Sequence, residues 1–286
     1  MEETSLNHQQ LQEFQCALYS DEKSSAIIRK YRHDVEAFFQ YAQGRPVTKE
    51  LVVSYKHYLL ERYAVSSANT MLASLNRFFA WAGIPELRVK TVKCQRSIFS
   101  GEKELTKKEY LHLLNAAQKQ KKFWLRLVME TICATGIRVS ELRHITVEAV
   151  RRGTAKITCK GKHRRVLLPQ KLCTRLKTYC KGRKIASGPI FVTKNGTALD
   201  RSNIWSAMKK LCVECGVSAE KVFPHNLRHL FARTFLTIEK DITKLADILG
   251  HANVNTTRLY TISGGAEHRR RLNQLANLLL LCGEFG

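Results

Sequence analysis

Apolar side chains recur at helical spacing over successive stretches of the first ninety residues. Ile28, Tyr31, Val35, Phe38 and Phe39 form one series, with Ser24-Ser25 ahead of it as a cap and Gly44-Arg45-Pro46 behind it as a stop. Leu51, Val52, Tyr55, Tyr58 and Leu59 form the next, behind a Thr48 cap. Ser66-Ser67 open a further helix through Met71, Leu72, Leu75, Phe78 and Phe79, closed by Gly83 and Pro85. The pattern predicts a small helical bundle over residues 1–89. Periodicity then lapses and the chain turns basic, as a linker over 90–103 would. A second domain, 104–286, begins at a capping box of Thr106 and Glu109, flanked by a Leu105–Tyr110 hydrophobic staple.

The second domain starts helical, with the run Phe123–Ile132 ended by Gly136, and Ser140-Glu141 open another helix. That leaves Arg138 on a turn between helices. Lys156–Cys159 and Arg165–Leu168 read as short strands joined by Lys160-Gly161-Lys162-His163-Arg164. Beyond Gln170 the pattern is helical except around residues 187–192. The predicted fold class is mainly α with a small antiparallel β-sheet, in two domains.

Charge changes the picture from fold to partner. The 286-residue chain carries 48 Lys and Arg against 24 Asp and Glu, a net charge of +24. Such a surplus calls for a polyanion. The basic residues are scattered through both halves instead of lying on one amphipathic helix, which favours nucleic acid over a membrane surface. The longest apolar run, Leu278–Cys282, is far short of the roughly 20 residues a membrane span needs. The start, Met1-Glu2-Glu3-Thr4, is unlike a signal peptide. Nine cysteines, an odd number without a regular framework, suggest reduced thiols and a cytoplasmic protein. Cys212 and Cys215 have metal-ligand spacing but no second pair, so they read as packed thiols and no metal is expected. His33 and His57, inside helical patterns, read as surface or packing residues.

The chemistry-bearing residues sit in distinctive frames: Thr135-Gly136-Ile137-Arg138-Val139-Ser140-Glu141-Leu142, His225-Asn226-Leu227-Arg228-His229, Leu249-Gly250-His251-Ala252-Asn253-Val254-Asn255-Thr256-Thr257, and Arg258-Leu259-Tyr260-Thr261. In order and spacing these resemble the frames of the tyrosine recombinases, the phage integrase family. The bundle resembles that family's core-binding domain in Tyr31, Asp34, Val35 and Phe38, so the resemblance spans nearly the whole chain. Leu230 and Ile262 depart from it, standing where the family often has threonine or serine and histidine.

Breaking a DNA phosphodiester with a side-chain nucleophile needs an in-line attacking group, fixed donors where charge grows on the non-bridging oxygens, and an acid for the departing 5′ oxygen. The resemblance assigns Tyr260 as nucleophile and Arg138 with Arg228 as a phosphate clamp. A guanidinium offers a permanently charged planar fork for this task. His225 shares a helix face with Arg228 and assists proton transfer or binds phosphate; His251 donates to the scissile phosphate. Lys160, before Gly161 at the hairpin tip, is the general acid, with Lys162 the competing choice. Glu141 orients the clamp. His229 points elsewhere on its helix and is left out.

The expected activity is site-specific DNA recombination through a 3′-phosphotyrosyl intermediate and a Holliday junction. The expected partners are double-stranded DNA and a homo-tetramer, possibly with a related recombinase as hetero-partner; cofactors are none. A type IB topoisomerase-like DNA-relaxing enzyme and a non-catalytic DNA-binding relative are the alternatives. The resemblance implies that the apolar tail, Leu272, Leu275, Leu278, Leu279 and Leu281, docks on a neighbouring subunit; folding back onto its own domain is the alternative.

Overall fold

Each apolar series of the amino-terminal part becomes one helix of a bundle. The computed structural model describes residues 8–93, 104–159, 162–193, 195–251 and 253–260. It divides into two compact units, Met1–Arg96 and Ser97–Gly286. The first holds α1 (His8–Ser20), α2 (Ser25–Ala42), α3 (Lys49–Arg62) and α4 (Val65–Trp81). Val35, Phe38, Leu59, Leu72, Leu75, Phe78 and Phe79 are fully buried in one core. Helix α1, which the spacing argument did not single out, adds Leu11, Phe14 and Leu18. Each such side chain contributes about 1.5–3 kcal/mol on burial.

Local chemistry accounts for most boundaries. The Thr48 hydroxyl accepts from the Leu51 amide at 3.2 Å. Helix α4 instead starts at Val65, capped from Ala64 without a side-chain bond, one residue before the serines expected to open it. Beyond α4, the Asn76 amide group brackets Val89 (2.8 and 2.9 Å) and that of Asn69 brackets Val92 (2.8 and 2.9 Å). These pairs fasten the extended segment to the bundle. His33 and His57 lie exposed on α2 and α3.

The second unit contains α5 (Lys107–Lys119), α6 (Phe123–Thr135), α7 (Val147–Arg152), β1 (Thr154–Cys159), β2 (Lys162–Leu167), α8 (Gln170–Gly182), α9 (Arg201–Cys215), α10 (Pro224–Ile238) and α11 (Ile242–Leu249). Thr106 and Glu109 make the reciprocal capping box that starts α5. Helix α6 is central: Leu125, Val128, Met129 and Ile132 are fully buried, and it packs on α5, α8 and α10. Cys212 is buried and Cys215 half-buried on α9, both as free thiols. Residues 139–144 form a 3-10 helix, where Ser140-Glu141 were expected to begin an α-helix. The backbone hydrogen bond from the Glu141 amide to the Arg138 carbonyl, three residues back, closes the tighter turn.

The hairpin is antiparallel and longer than expected, pairing Thr154 with Leu167 through to Cys159 with Lys162. Lys162, His163 and Arg164 therefore belong to β2, not to the connection. Alternation places Ala155, Ile157 and Val166 on the buried face. Arg164, opposite Ile157 and two residues before Val166, shares that face. Lys160, the expected general acid, and residues 261–286, with the tail, lie outside the described residues.

Candidate active site

Tight turns bring the frames together. Gly136 ends α6 at φ +64°, and a Cβ there would come within 2.5 Å of the Phe231 ring and 2.7 Å of Leu249. Gly250 ends α11 at φ +65°, where a Cβ would come within 2.5 Å of the Arg164 side chain. Both positions need a left-handed backbone and no side chain. The first releases the chain toward Arg138, the second toward His251. A 3-10 helix, Val254–Tyr260, then delivers Thr257 and Tyr260.

Arg228 on α10 is the centre of the arrangement and is only 1% exposed. Its Nη1 donates to the Gly136 carbonyl at 2.7 Å and its Nη2 to the Leu249 carbonyl at 2.9 Å. These carbonyls close the carboxy-terminal ends of α6 and α11, where helix dipoles concentrate roughly half a negative charge each. Among the described residues no carboxylate forms an ion pair with Arg228. Its Nε is buried without a hydrogen-bond partner among the described residues. Burial first, and Arg138 next, push the guanidinium pKa down, while the adjacent Tyr260 hydroxyl supports the charge.

His251 offers Nε2 to Arg228 Nη2 at 2.8 Å and Nδ1 to the Thr257 hydroxyl at 2.8 Å. A guanidinium only donates, so Nε2 accepts and the ring proton sits on Nδ1, pointing at Thr257. Burial, then Arg228, Arg138 and Arg164, push its pKa down to about 4. The expected donation from His251 to a phosphate thus requires Nε2 to exchange its role, because in the free protein it is an acceptor.

Tyr260 is 6% exposed and packs with Ala232, Leu245 and Leu249. Its ring lies 6.1 Å from that of His251, nearly parallel at 15°. His229, expected to point away, meets Tyr260 edge-on at 4.8 Å, and His225 meets His229 edge-on at 4.6 Å. Helical spacing contains the signal: His225 and His229 are four residues apart and share a face, although Arg228 and His229 do not. Burial, followed by Arg228, Arg138 and Arg201, lowers the His225 pKa.

Arg138 is more open, with 41% of its side chain exposed, and pairs with Glu141 at 3.1 Å. Glu141 also accepts from the Arg138 amide at 2.8 Å and from Arg164 Nη2 at 2.6 Å. Burial raises the Glu141 carboxyl pKa, but the Arg138 amide and the charges of Arg164 and Arg138 outweigh it and hold the carboxyl low. Arg164 also donates to the Ile248 carbonyl, so one side chain ties the hairpin to the Arg138 turn and to the end of α11. A cleft of about 400 Å³ lined by Arg138, Arg201, Trp205, His225 and Arg228 opens onto the site. The described residues contain no cluster of three or more His, Cys, Asp and Glu able to hold a metal.

Thus Arg138, His225, Arg228, His251 and Tyr260 converge, while His229, Thr257 and Arg164 join them without having been anticipated. A cationic, dipole-backed socket beside a phenol is suited to an anionic ester.

The phage integrase family matches residues 103–265, and the phage integrase N-terminal SAM-like domain matches residues 11–83. Tyrosine recombinase XerA of Pyrococcus furiosus is 30% identical over 99% of this chain and 100% of its own length. Tyrosine recombinase XerD of Halalkalibacterium halodurans is 28% identical over 83% of this chain and 87% of its own. A crystal structure of XerA recombinase, 25% identical, covers 93% of this chain and 97% of that one with a TM-score of 0.52. Lambda integrase, solved as a dimer bound to a COC' core site, shares the fold at 19% identity, covering 90% of this chain and 95% of that one with a TM-score of 0.74. By the extent of the match and the order of its frames, the chain belongs to the phage integrase family, the tyrosine recombinases.

Proposed function

We propose that this chain performs site-specific DNA recombination with Tyr260 as nucleophile. The Tyr260 oxygen attacks the scissile phosphorus, an O–P bond to tyrosine forms, and the bond to the 5′ oxygen breaks. The phenol proton leaves toward His225, and Lys160 protonates the departing 5′ oxygen. Arg138 and Arg228 hold the non-bridging oxygens, with His251 adding a donor. A 5′-hydroxyl from a partner strand then reverses the steps, so the ester conserves the bond and no nucleotide is consumed.

The observation that carries this reading is Arg228: a buried cation beside Tyr260, balanced by helix-end carbonyls, with Nε left without a partner among the described residues. Buried N–H groups almost always find acceptors, and an anionic oxygen is the acceptor this socket suits. The tyrosine recombinase names of the relatives favour recombination over simple DNA relaxation. Double-stranded DNA is the partner, and the net charge of +24 predicts binding that weakens steeply with salt. A homo-tetramer on a Holliday junction is the proposed assembly, supported by a lambda integrase of the same fold solved as such a tetramer. The proposed setting is the cytoplasm; no helix of the described residues is long and apolar enough to cross a membrane.

A nicked duplex that loses its 5′ fragment after cleavage tests the reaction. Wild type should accumulate a covalent protein–DNA adduct and Tyr260→Phe should form none. Equal adduct in both would overturn the assignment, and absence of adduct from wild type on its cognate site would favour a non-catalytic relative.

A further inference from the structure

We infer that His229 is a positioning residue for the nucleophile: its ring edge forms the wall that holds the Tyr260 ring beside Arg228. The inference rests on the proposed reaction and goes beyond it, because His229 belongs to neither the clamp nor the proton-transfer set.

The geometry is specific. Tyr260 is nearly buried, and two imidazoles border it from different elements. His251, from the turn after α11, lies nearly parallel to it at 6.1 Å. His229, from α10, meets it at 4.8 Å and 80°. An edge-on contact at that separation is a favoured arrangement of aromatic rings. It also restricts ring orientation, which an aliphatic neighbour of the same size does less well. His229 is itself braced by His225 at 4.6 Å and 78°. The row His225, His229, Tyr260 thus places the nucleophile by reference to α10, the helix that also carries Arg228. Nucleophile and clamp share one rigid support.

The wall is uncharged at neutral pH. Burial, then His225, Arg233 and Arg228, push the His229 pKa down to about 4. A neutral ring packs against the phenol without adding a charge to the site. The function required of residue 229 is therefore a flat ring of suitable size, and phenylalanine should satisfy it where alanine or leucine should not.

The test uses the full-length protein on the nicked duplex, with DNA affinity measured by gel shift and the cleavage rate constant under single-turnover conditions. Misplacing a reacting group by about 1 Å can cost on the order of 10²-fold in rate. His229→Ala should cleave roughly 10- to 100-fold more slowly while binding DNA within about threefold of wild type. His229→Leu, which fills the space without a ring, should also be slow, so the test survives if the alanine variant folds poorly. His229→Phe should restore cleavage to within about threefold of wild type. Melting temperatures taken alongside separate misplacement from unfolding. Wild-type cleavage by the alanine or leucine variant would overturn the inference. So would a phenylalanine variant as slow as alanine, which would mean that imidazole chemistry, not ring geometry, is required. Loss of DNA affinity in step with rate would point to a general structural role and overturn it as well. Failure of the wild type itself to form adduct, with Tyr260→Phe as control, would instead remove the reaction on which the inference rests.

Discussion

Two buried charges, one in each unit, are treated in opposite ways. In the helical bundle, Asp34 is 4% exposed, forms an ion pair with Lys30 on its own helix and accepts from the Ser74 hydroxyl at 2.6 Å. Its charge meets a full opposite charge, and the bundle is tied together across α2 and α4. In the second unit, Arg228 is 1% exposed and, among the described residues, meets carbonyl dipoles, a neutral imidazole and the adjacent Tyr260 hydroxyl, with no carboxylate. Its charge is stabilised enough to exist in the interior but is not neutralised. The first arrangement closes a core; the second suits the proposed phosphate socket.

The largest effect should separate the two charges. Arg228→Lys keeps a cation but loses the planar fork that holds the Gly136 and Leu249 carbonyls, and single-turnover cleavage per folded molecule should fall by at least about 10²-fold, beyond any loss of stability. Asp34→Ala should do the reverse, costing about 1–3 kcal/mol of stability by removing the carboxylate that Lys30 and Ser74 share, which leaves the Ser74 hydroxyl only its longer bond to the Thr70 carbonyl at 3.2 Å. Cleavage per folded molecule should hold. Denaturant melts paired with cleavage rates read both. A stable, inactive Asp34→Ala or an active Arg228→Lys would break the contrast.

Next in size is Gly136→Ala. The residue holds φ +64°, and its added Cβ would meet Phe231 at 2.5 Å. Strain and overpacking should each cost about 1–3 kcal/mol, and the Gly136 carbonyl that holds Arg228 should shift, lowering cleavage as well as stability. Retention of both would mean that the carbonyl is not part of the socket.

The smallest effect concerns pH. His229 and His251 are held at about 4, whereas unfolded histidine titrates near 6.5. As pH falls from 6.5 toward 4 the unfolded chain binds protons that the folded one refuses, so stability declines across that window. Glu141, held below its ordinary value, loses its contribution on further acidification, in the same direction. The melting temperature should drop from pH 7 to pH 4.5, and less steeply in His229→Phe. An unchanged slope would mean that His229 titrates normally.

The sequence disclosed those features whose chemistry is local. Thr48, the Thr106–Glu109 box, Gly136 and Gly250 announce helix ends because caps and left-handed turns demand particular residues. The motif residues Arg138, His225, Arg228, His251 and Tyr260 stood out by their frames. Contacts made across the fold were harder to read. Arg164 was one basic residue among 48, and only strand register shows that it turns inward to Glu141. His229 follows Arg228 directly and so points elsewhere on the helix; its place in the site comes from sharing a face with His225, one turn away. Thr257 was visible in its frame, but nothing local shows that its hydroxyl fixes the tautomer of His251. Likewise, no local pattern distinguishes the tight 3-10 turn after Arg138 from an α-helix.

The central claim is that the socket around Arg228 presents a DNA phosphate to Tyr260. The most direct test traps the adduct on a nicked duplex, digests protein and DNA, and locates the attached nucleotide by tandem mass spectrometry. The account predicts a nucleotide joined through its 3′-phosphate to the Tyr260 oxygen in wild type, and none in Arg228→Ala. A nucleotide on any other side chain, or a full yield of adduct without Arg228, would contradict it.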